Sequence, residues 1–324
     1  MKDVAARAGV GLKTVSRVVN GEPGVTAETT ERVQAAITEL GFRRNDSARI
    51  LRKGRTASIG LILEDIGDPF YSAFSRAVED VARDNASLLF IGSSAEAADR
   101  EQELALAFCA RRVDGLIVIP AGTDHRYLLP ETQAGVAVVF ADRPGQRIDA
   151  DNVLSANADG SRQGVEHLLR HGHRRIGYIG DLPHIHTAAE RLRGYREAMA
   201  DAGIEVAPGW VAMGPTDPER VAADLRAMTG EDGVTAVFCG NNRVSVSVLR
   251  AVDSLPSRPA LIGFDDFELA DLAGLSVVAQ DPAGMGRTAA RLLFHRLAGS
   301  AGDFTTTHLP VHLIPRGSAE RPPR

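Results

Sequence analysis

Polar and charged residues recur in this sequence directly after short apolar runs. Asp68, Phe70 and Tyr71 lie just beyond the run 58–63, and Asp142 and Arg143 follow 138–141. Asn241 follows 238–240, Asp265 follows 262–264, and Gln280 follows 277–279. Arg191 stands in Glu190-Arg191-Leu192-Arg193-Gly194-Tyr195, which reads as the opening of a helix. Vicinal hydroxyls need acceptors and donors side by side. A carboxylate with a neighbouring guanidinium supplies both, and Phe70 or Tyr71 can stack on the apolar face of a sugar ring. Loop caps and salt bridges between lobes use the same residue types, so spacing alone leaves both uses open. Nearer the N-terminus, Lys13, Thr14 and Arg17 share one helical face, where they can donate to guanine edges or phosphates.

Other chemistries find no support. There is no GxxxxGK[ST] phosphate loop, GxSxG elbow or HExxH pair. Cys109 and Cys239 are the two cysteines, which excludes a disulfide framework and a cysteine zinc site. His171 with His173, and His184 with His186, have two-residue spacing but no acidic or cysteine companions, so no metal is expected. Asp265 and Asp266 form an acid pair without an activated nucleophile. The sequence therefore calls for no cofactor, and an enzyme is not expected. The 324 residues allow two or three domains. Apolar residues at 44% and charged residues at 24% are ordinary globular composition. No apolar run reaches a membrane span of ~18 residues and the start carries no signal-peptide core, so the expected location is the cytoplasm, with no membrane partner.

Charge is unevenly shared. Residues 1–55 hold eleven Lys/Arg against six Asp/Glu, a basic surplus on a chain whose net charge is -5. A basic head on an acidic body suggests an anionic partner for the head. Its pattern is helical: Val4, Ala5 and Ala8 share a face before Gly9, and Val15, Val18 and Val19 do so in a second helix over 12–19. A third helix follows Thr26 as its cap, with Val33, Ala36, Ile37 and Leu40 as its stripe. Two short helices joined at glycine make a helix-turn-helix.

The stretch Asp3-Val4-Ala5-Ala6-Arg7-Ala8-Gly9-Val10, followed by Thr14-Val15-Ser16-Arg17-Val18-Val19-Asn20-Gly21, resembles the DNA-binding head of the LacI/GalR (lactose/galactose repressor) family. The resemblance implies that Leu12 and Lys13 open a recognition helix in the major groove, with Arg17 one turn on. Arg17 can fork to guanine O6 and N7, and Leu12 can touch a thymine methyl. Thr14, Ser16 and Asn20 are suited to phosphates. Residues 45–54 resemble the family's hinge helix, in which Ala48 would allow close approach to the minor groove and Leu51 would wedge between base pairs. Arg44 stands where the family has proline, and Gly11 where it has a serine cap.

Beyond residue 56, apolar runs at 58–63, 88–92, 115–119, 136–141, 176–180, 236–240, 260–264 and 275–279 alternate with helical patterns at 73–84, 101–111, 161–171, 190–202, 218–228, 243–252 and 284–297. The pattern runs twice and predicts two doubly wound parallel-sheet lobes with a ligand cleft at their carboxyl ends. The family resemblance implies the same multidomain chain: an all-α helix-turn-helix head on a periplasmic-binding-protein-like α/β body. The expected divisions are 1–44 for the head, 45–55 for the hinge and 56–324 for effector binding and dimerisation. Lobe one would hold 56–156 plus 284–310, and lobe two 157–283 plus 311–318. The resemblance implies a regulator, a repressor by expectation, in which a sugar-like effector held by Asp68, Phe70, Tyr71, Asp142, Arg143, Arg191, Asn241, Asp265 and Gln280 controls binding of a homodimer to a pseudo-palindromic double-stranded operator. Asp142, Arg143 and Gln280 favour a pentose or furanoside. Asn242 stands where the family often has Asp, altering a lobe contact. The competing readings are a solute-binding protein and a sugar-processing enzyme on the same body fold.

Overall fold

The computed structural model describes residues 1–42, 56–230 and 232–323. The hinge expected at 45–55, with Ala48 and Leu51, lies outside them. The chain divides into two compact units, 1–56 and 57–324.

The head consists of α1 (Lys2–Ala8), α2 (Leu12–Asn20) and α3 (Ala27–Glu39). Val4, Ala8, Val15, Val33 and Ala36 form its core, with Val18, Val19 and Ile37 packed around them. Gly9 ends α1 at φ 64, a left-handed conformation that a side chain would strain. Thr26 caps α3 by accepting from the Thr29 N–H. Met1 and Gly11, at the cap positions of α1 and α2, offer no side-chain bond, the latter as glycine in place of a serine cap led one to expect.

The body holds two lobes of the same winding. In the first, β1 (Ser58–Leu63), α4 (Pro69–Asp84), β2 (Leu88–Ser93), α5 (Ala98–Ala110), β3 (Gly115–Val118), α6 (Leu129–Gln133), β4 (Ala137–Ala141) and β5 (Asp151–Ser155) succeed one another. In the second come α7 (Asn157–Arg170), β6 (Ile176–Gly180), α8 (His186–Asp201), β7 (Val211–Met213), α9 (Pro218–Met228), β8 (Ala236–Cys239), α10 (Asn242–Ala251), β9 (Ala260–Phe264), α11 (Glu268–Leu272) and β10 (Ser276–Ala279). The chain then returns through α12 (Pro282–Leu297) and β11 (Thr306–Leu309) to β12 (His312–Ile314).

The sheet orders are β11-β5-β4-β3-β1-β2 and β12-β10-β9-β8-β6-β7, the same sequence of steps in each lobe. The inner strands pair in parallel, with Ile62 opposite Val118 and Ile179 opposite Cys239. Strands β3, β4, β8 and β9 carry no polar side chain beyond Cys239, because helices cover both faces. The last strands differ: β11 runs parallel to β5, whereas β12 runs antiparallel to β10. Only Pro310 and Val311 separate them, so the chain crosses between lobes there.

The helices begin up to four residues before the predicted positions. Asp68, Asp217 and Asp281 each cap a helix whose next residue is proline, a start signal that apolar periodicity ignores. Arg191 consequently lies in the second turn of α8, and the helix opens at His186. Strands β5, β7, β11 and β12 were not predicted. Each is short or begins with polar residues, and β5 starts at a buried aspartate, Asp151, held by Arg296 at 2.7 Å.

In lobe two, α7 and α8 touch at backbone distance. A methyl on Gly194 would lie 2.0 Å from the Ala158 carbonyl oxygen. Gly194→Ala must therefore push the helices apart, at a cost of about 1–3 kcal/mol. A lowered melting temperature for the full chain is the expected result, and an unchanged one would show that this contact can yield.

Candidate functional site

The carboxyl ends of both sheets turn their polar residues into one cleft. Asp142 and Asp265 follow β4 and β9, equivalent strands of the two lobes. Both adopt left-handed backbone, φ 63 and 77, a strain of order 1–2 kcal/mol that aspartate bears better than most residues. Each donates its N–H across to the next strand, to Val153 O and Val278 O, at 2.9 Å in both cases. The strain thereby turns both side chains inward, where they are buried.

Two other cleft residues double as helix caps. The Asp68 carboxylate accepts from the Phe70 N–H at 2.9 Å, and Asn241 Oδ1 accepts from the Val244 N–H at 2.9 Å. The opposite end of the Asn241 amide donates to Asp181 at 2.9 Å. Asp181 directly follows β6, so the rule that found the other residues could have found it.

Contacts between the lobes converge on the start of α10. Asn242 donates to both Asp68 oxygens, at 3.0 and 3.2 Å. Arg243 reaches Asp68 at 3.2 Å and Glu64 at 2.5 Å. Asparagine at 242 thus supplies a donor where an aspartate would set two carboxylates against each other. Glu64 also accepts from the Tyr71 hydroxyl at 3.2 Å. With its ring in the lobe-one core and its hydroxyl engaged, Tyr71 leaves Phe70 to present an aromatic face. Neither Glu64 nor Arg243 was predicted, although Glu64 follows β1 directly.

The two buried arginines are tied down differently. Arg191 stacks over Phe264, 3.8 Å from the ring centre, and donates to Asn157 Oδ1 at 2.7 Å and Gly240 O at 2.8 Å. Arg143 binds Glu96 through both terminal nitrogens and Pro120 O at 2.9 Å. Nothing in the spacing of Asn157 or Glu96 foretold these partnerships. Arg143 Nε and Gln280 Oε1 are buried without a hydrogen bond. Gln280 Nε2 donates to Asp265 at 2.6 Å. The Asp142 carboxylate has no hydrogen bond from the described residues, and its nearest cation is Arg143 Nε at 3.8 Å. Burial raises the pKa of Asp142, and likewise those of Asp68 and Glu96, because each loses hydration of its charged form. The cavity that these residues line measures about 50 Å³.

Asp68, Phe70, Tyr71, Asp142, Arg143, Arg191, Asn241, Asp265 and Gln280 are all brought together here. The residues predicted on the head lie on α2, with Leu12 48% exposed. Arg17 and Lys13 have no ion pair among the described residues, in contrast to Arg7, which Glu39 holds at 2.8 Å. Asn20 donates to Ser16 and Glu22, both at 3.3 Å. The described residues contain no group of three or more side chains able to hold a metal. None of their helices is long and apolar enough to cross a membrane.

Residues 1–45 match the family described as bacterial regulatory proteins, lacI family, and residues 165–319 match a periplasmic binding protein-like domain. The chain is 32% identical to the HTH-type transcriptional regulator CelR of Thermobifida fusca, covering 97% of this chain and 96% of that protein. It is 30% identical to the HTH-type transcriptional regulator GalS of Salmonella typhimurium, covering 95% and 92%. A crystal structure of the lac repressor dimer bound to operator and the anti-inducer ONPF superposes with a TM-score of 0.85, at 25% identity over 98% of each chain.

The amide at 242 yields a pH-dependent prediction. Asn242→Asp sets a second carboxylate about 3 Å from Asp68, and two such groups cannot both ionise cheaply. One of them is pushed to a higher pKa than in the unfolded chain. The penalty is therefore full at neutral pH and fades as the pH falls through the raised value. The variant should melt below wild type at pH 7, by the equivalent of about 1–3 kcal/mol, and the gap should narrow by pH 5. A gap independent of pH would contradict the assigned contact.

Proposed function

The chain belongs to the LacI family of bacterial regulatory proteins, and we propose that it is a repressor whose hold on operator DNA is set by a small sugar-like molecule between its lobes. As a family member it is a DNA-binding transcriptional regulator and not an enzyme. A solute-binding role would leave the helix-turn-helix head without a use.

The observation that carries the proposal is the pairing of two sites in one chain: a recognition helix whose Lys13 and Arg17 have no ion pair among the described residues, and a cleft whose buried polar groups are incompletely matched. On the head, Arg17 forks to a guanine, Lys13 and Leu12 read neighbouring base edges, and Thr14, Ser16 and Asn20 hold phosphates. Two copies related by a two-fold axis read a pseudo-palindromic operator. Residues 45–55 link head to body as a hinge, with Ala48 and Leu51 against the minor groove. A homodimer supplies the two copies that such an operator requires. The protein works in the cytoplasm, at the nucleoid.

In the cleft, Asp68, Asp142, Arg143, Arg191, Asn241, Asp265 and Gln280 bind hydroxyls, Phe70 stacks on the ring and Tyr71 supports Glu64. A pentose or related furanoside suits the Asp142, Arg143 and Gln280 group. Binding there displaces the contacts of Asn242 and Arg243 with the opposite lobe. The lobe angle changes, and with it the spacing of the two hinge segments.

Gel-shift titration with DNA from the chain's own upstream region tests the proposal. Wild type should bind specifically, and Arg17→Ala should lose about 1–3 kcal/mol per half-site. Leu51→Ala should weaken specific binding and spare nonspecific binding. Wild-type affinity in both variants would refute the assigned docking. No specific binding by wild type to that DNA would count against the regulator acting at its own locus.

A further inference from the structure

The unsatisfied groups of the cleft define the charge and polarity of what it accepts. We infer that the cleft selects an uncharged or amine-bearing polyol and rejects phosphorylated and carboxylate sugars. The inference deepens the effector reading and rests on it.

Charge is the first ground. The cavity wall carries five carboxylates against three guanidiniums. Each of those guanidiniums is already engaged. Arg143 serves Glu96, Glu64 and Pro120 O, and Arg191 serves Asn157 and Gly240 O. Arg243 serves Glu64 and Asp68. Each has at most one nitrogen left, and each stands beside a carboxylate: Asp142 at 3.8 Å from Arg143, Asp265 at 3.6 Å from Arg191, and Asp65 at 3.6 Å from Arg243. A phosphate is held best by a free two-pronged guanidinium, and none is on offer here. An added anion would instead face the buried carboxylates of Asp142 and Asp265, where like charges repel more strongly than in bulk water.

Donor demand is the second. Asp142 is 4% exposed, lines the cavity and takes no hydrogen bond from the described residues. Gln280 Oε1 is a second buried acceptor without a donor, and Arg143 Nε a single buried donor without an acceptor. The ligand that completes this set brings at least two donors and one acceptor. Hydroxyl groups supply both roles, and an ammonium group would meet Asp142 as a charge pair.

The test measures binding of matched compounds to the full chain by thermal shift and then calorimetry. The sets are D-ribose with D-ribose 5-phosphate; D-glucose with D-glucosamine and D-glucose 6-phosphate; and D-galactose with D-galactosamine and D-galactose 1-phosphate. In any set that binds, the neutral or amine member should bind at least about tenfold more tightly than its phosphate, a difference of about 1.4 kcal/mol. Asp142→Asn should shrink that ratio. Asparagine tolerates the left-handed backbone at 142, and the variant's own melting curve reports whether the fold is kept. A phosphate that binds as well as its parent overturns the charge selection while leaving the cleft as an effector site. An unchanged ratio in Asp142→Asn overturns the assignment to Asp142. If no member of any set shifts the melting temperature or gives heat, the effector reading falls and this inference falls with it.

Discussion

A carboxylate held at a cavity wall takes its donors from the protein or from whatever fills the cavity, and Asp142 receives none from the described residues. The fold goes to some trouble to hold it there. Its backbone is left-handed at φ 63 and is pinned by its own N–H to Val153 O. Asp265 repeats the arrangement in the other lobe at φ 77, but there Gln280 and the Asn242 N–H supply donors. The asymmetry is chemical within a symmetric winding. Asp265 takes its donors from the protein, whereas Asp142 turns its carboxylate to the cavity.

The same economy of donors joins the two lobes. Asp68 and Glu64 of lobe one meet Asn242 and Arg243 at the first turn of α10 in lobe two. Those residues adjoin Asn241, which caps α10 and faces the cleft. A ligand reaching the cleft therefore competes close to the contacts that set the lobe angle. The proposed switch would part these contacts, which are paired in this structure. In a family whose members regulate transcription, the lobe angle is the natural quantity for an effector to change.

Much of this was legible in the sequence, and the reasons are specific. Inner strands such as β1 from Ile59 onward and Ala260–Phe264 are apolar without interruption because both faces are covered. The residues just past them then had to lie at the strand ends where ligands bind, which placed Asp142, Asp265 and Gln280. Strands with polar residues were harder. Strand β5 begins with Asp151, whose burial depends on Arg296, 145 residues away. Pairings such as Asn157 with Arg191 and Glu96 with Arg143 join elements that no local pattern relates. The head was read from its helix-turn-helix run, whereas Asn242 became intelligible only once Asp68 was seen opposite it.

In the proposed regulator, occupancy of the cleft decides the grip on DNA. The most direct measurement is the operator dissociation constant of the full chain, taken by fluorescence anisotropy at one fixed salt concentration. It is made with and without a saturating amount of whichever sugar most raises the melting temperature. The account predicts a change of about 5–150-fold, abolished when Arg191→Ala disables the cleft. The same constant with and without the bound sugar would contradict it.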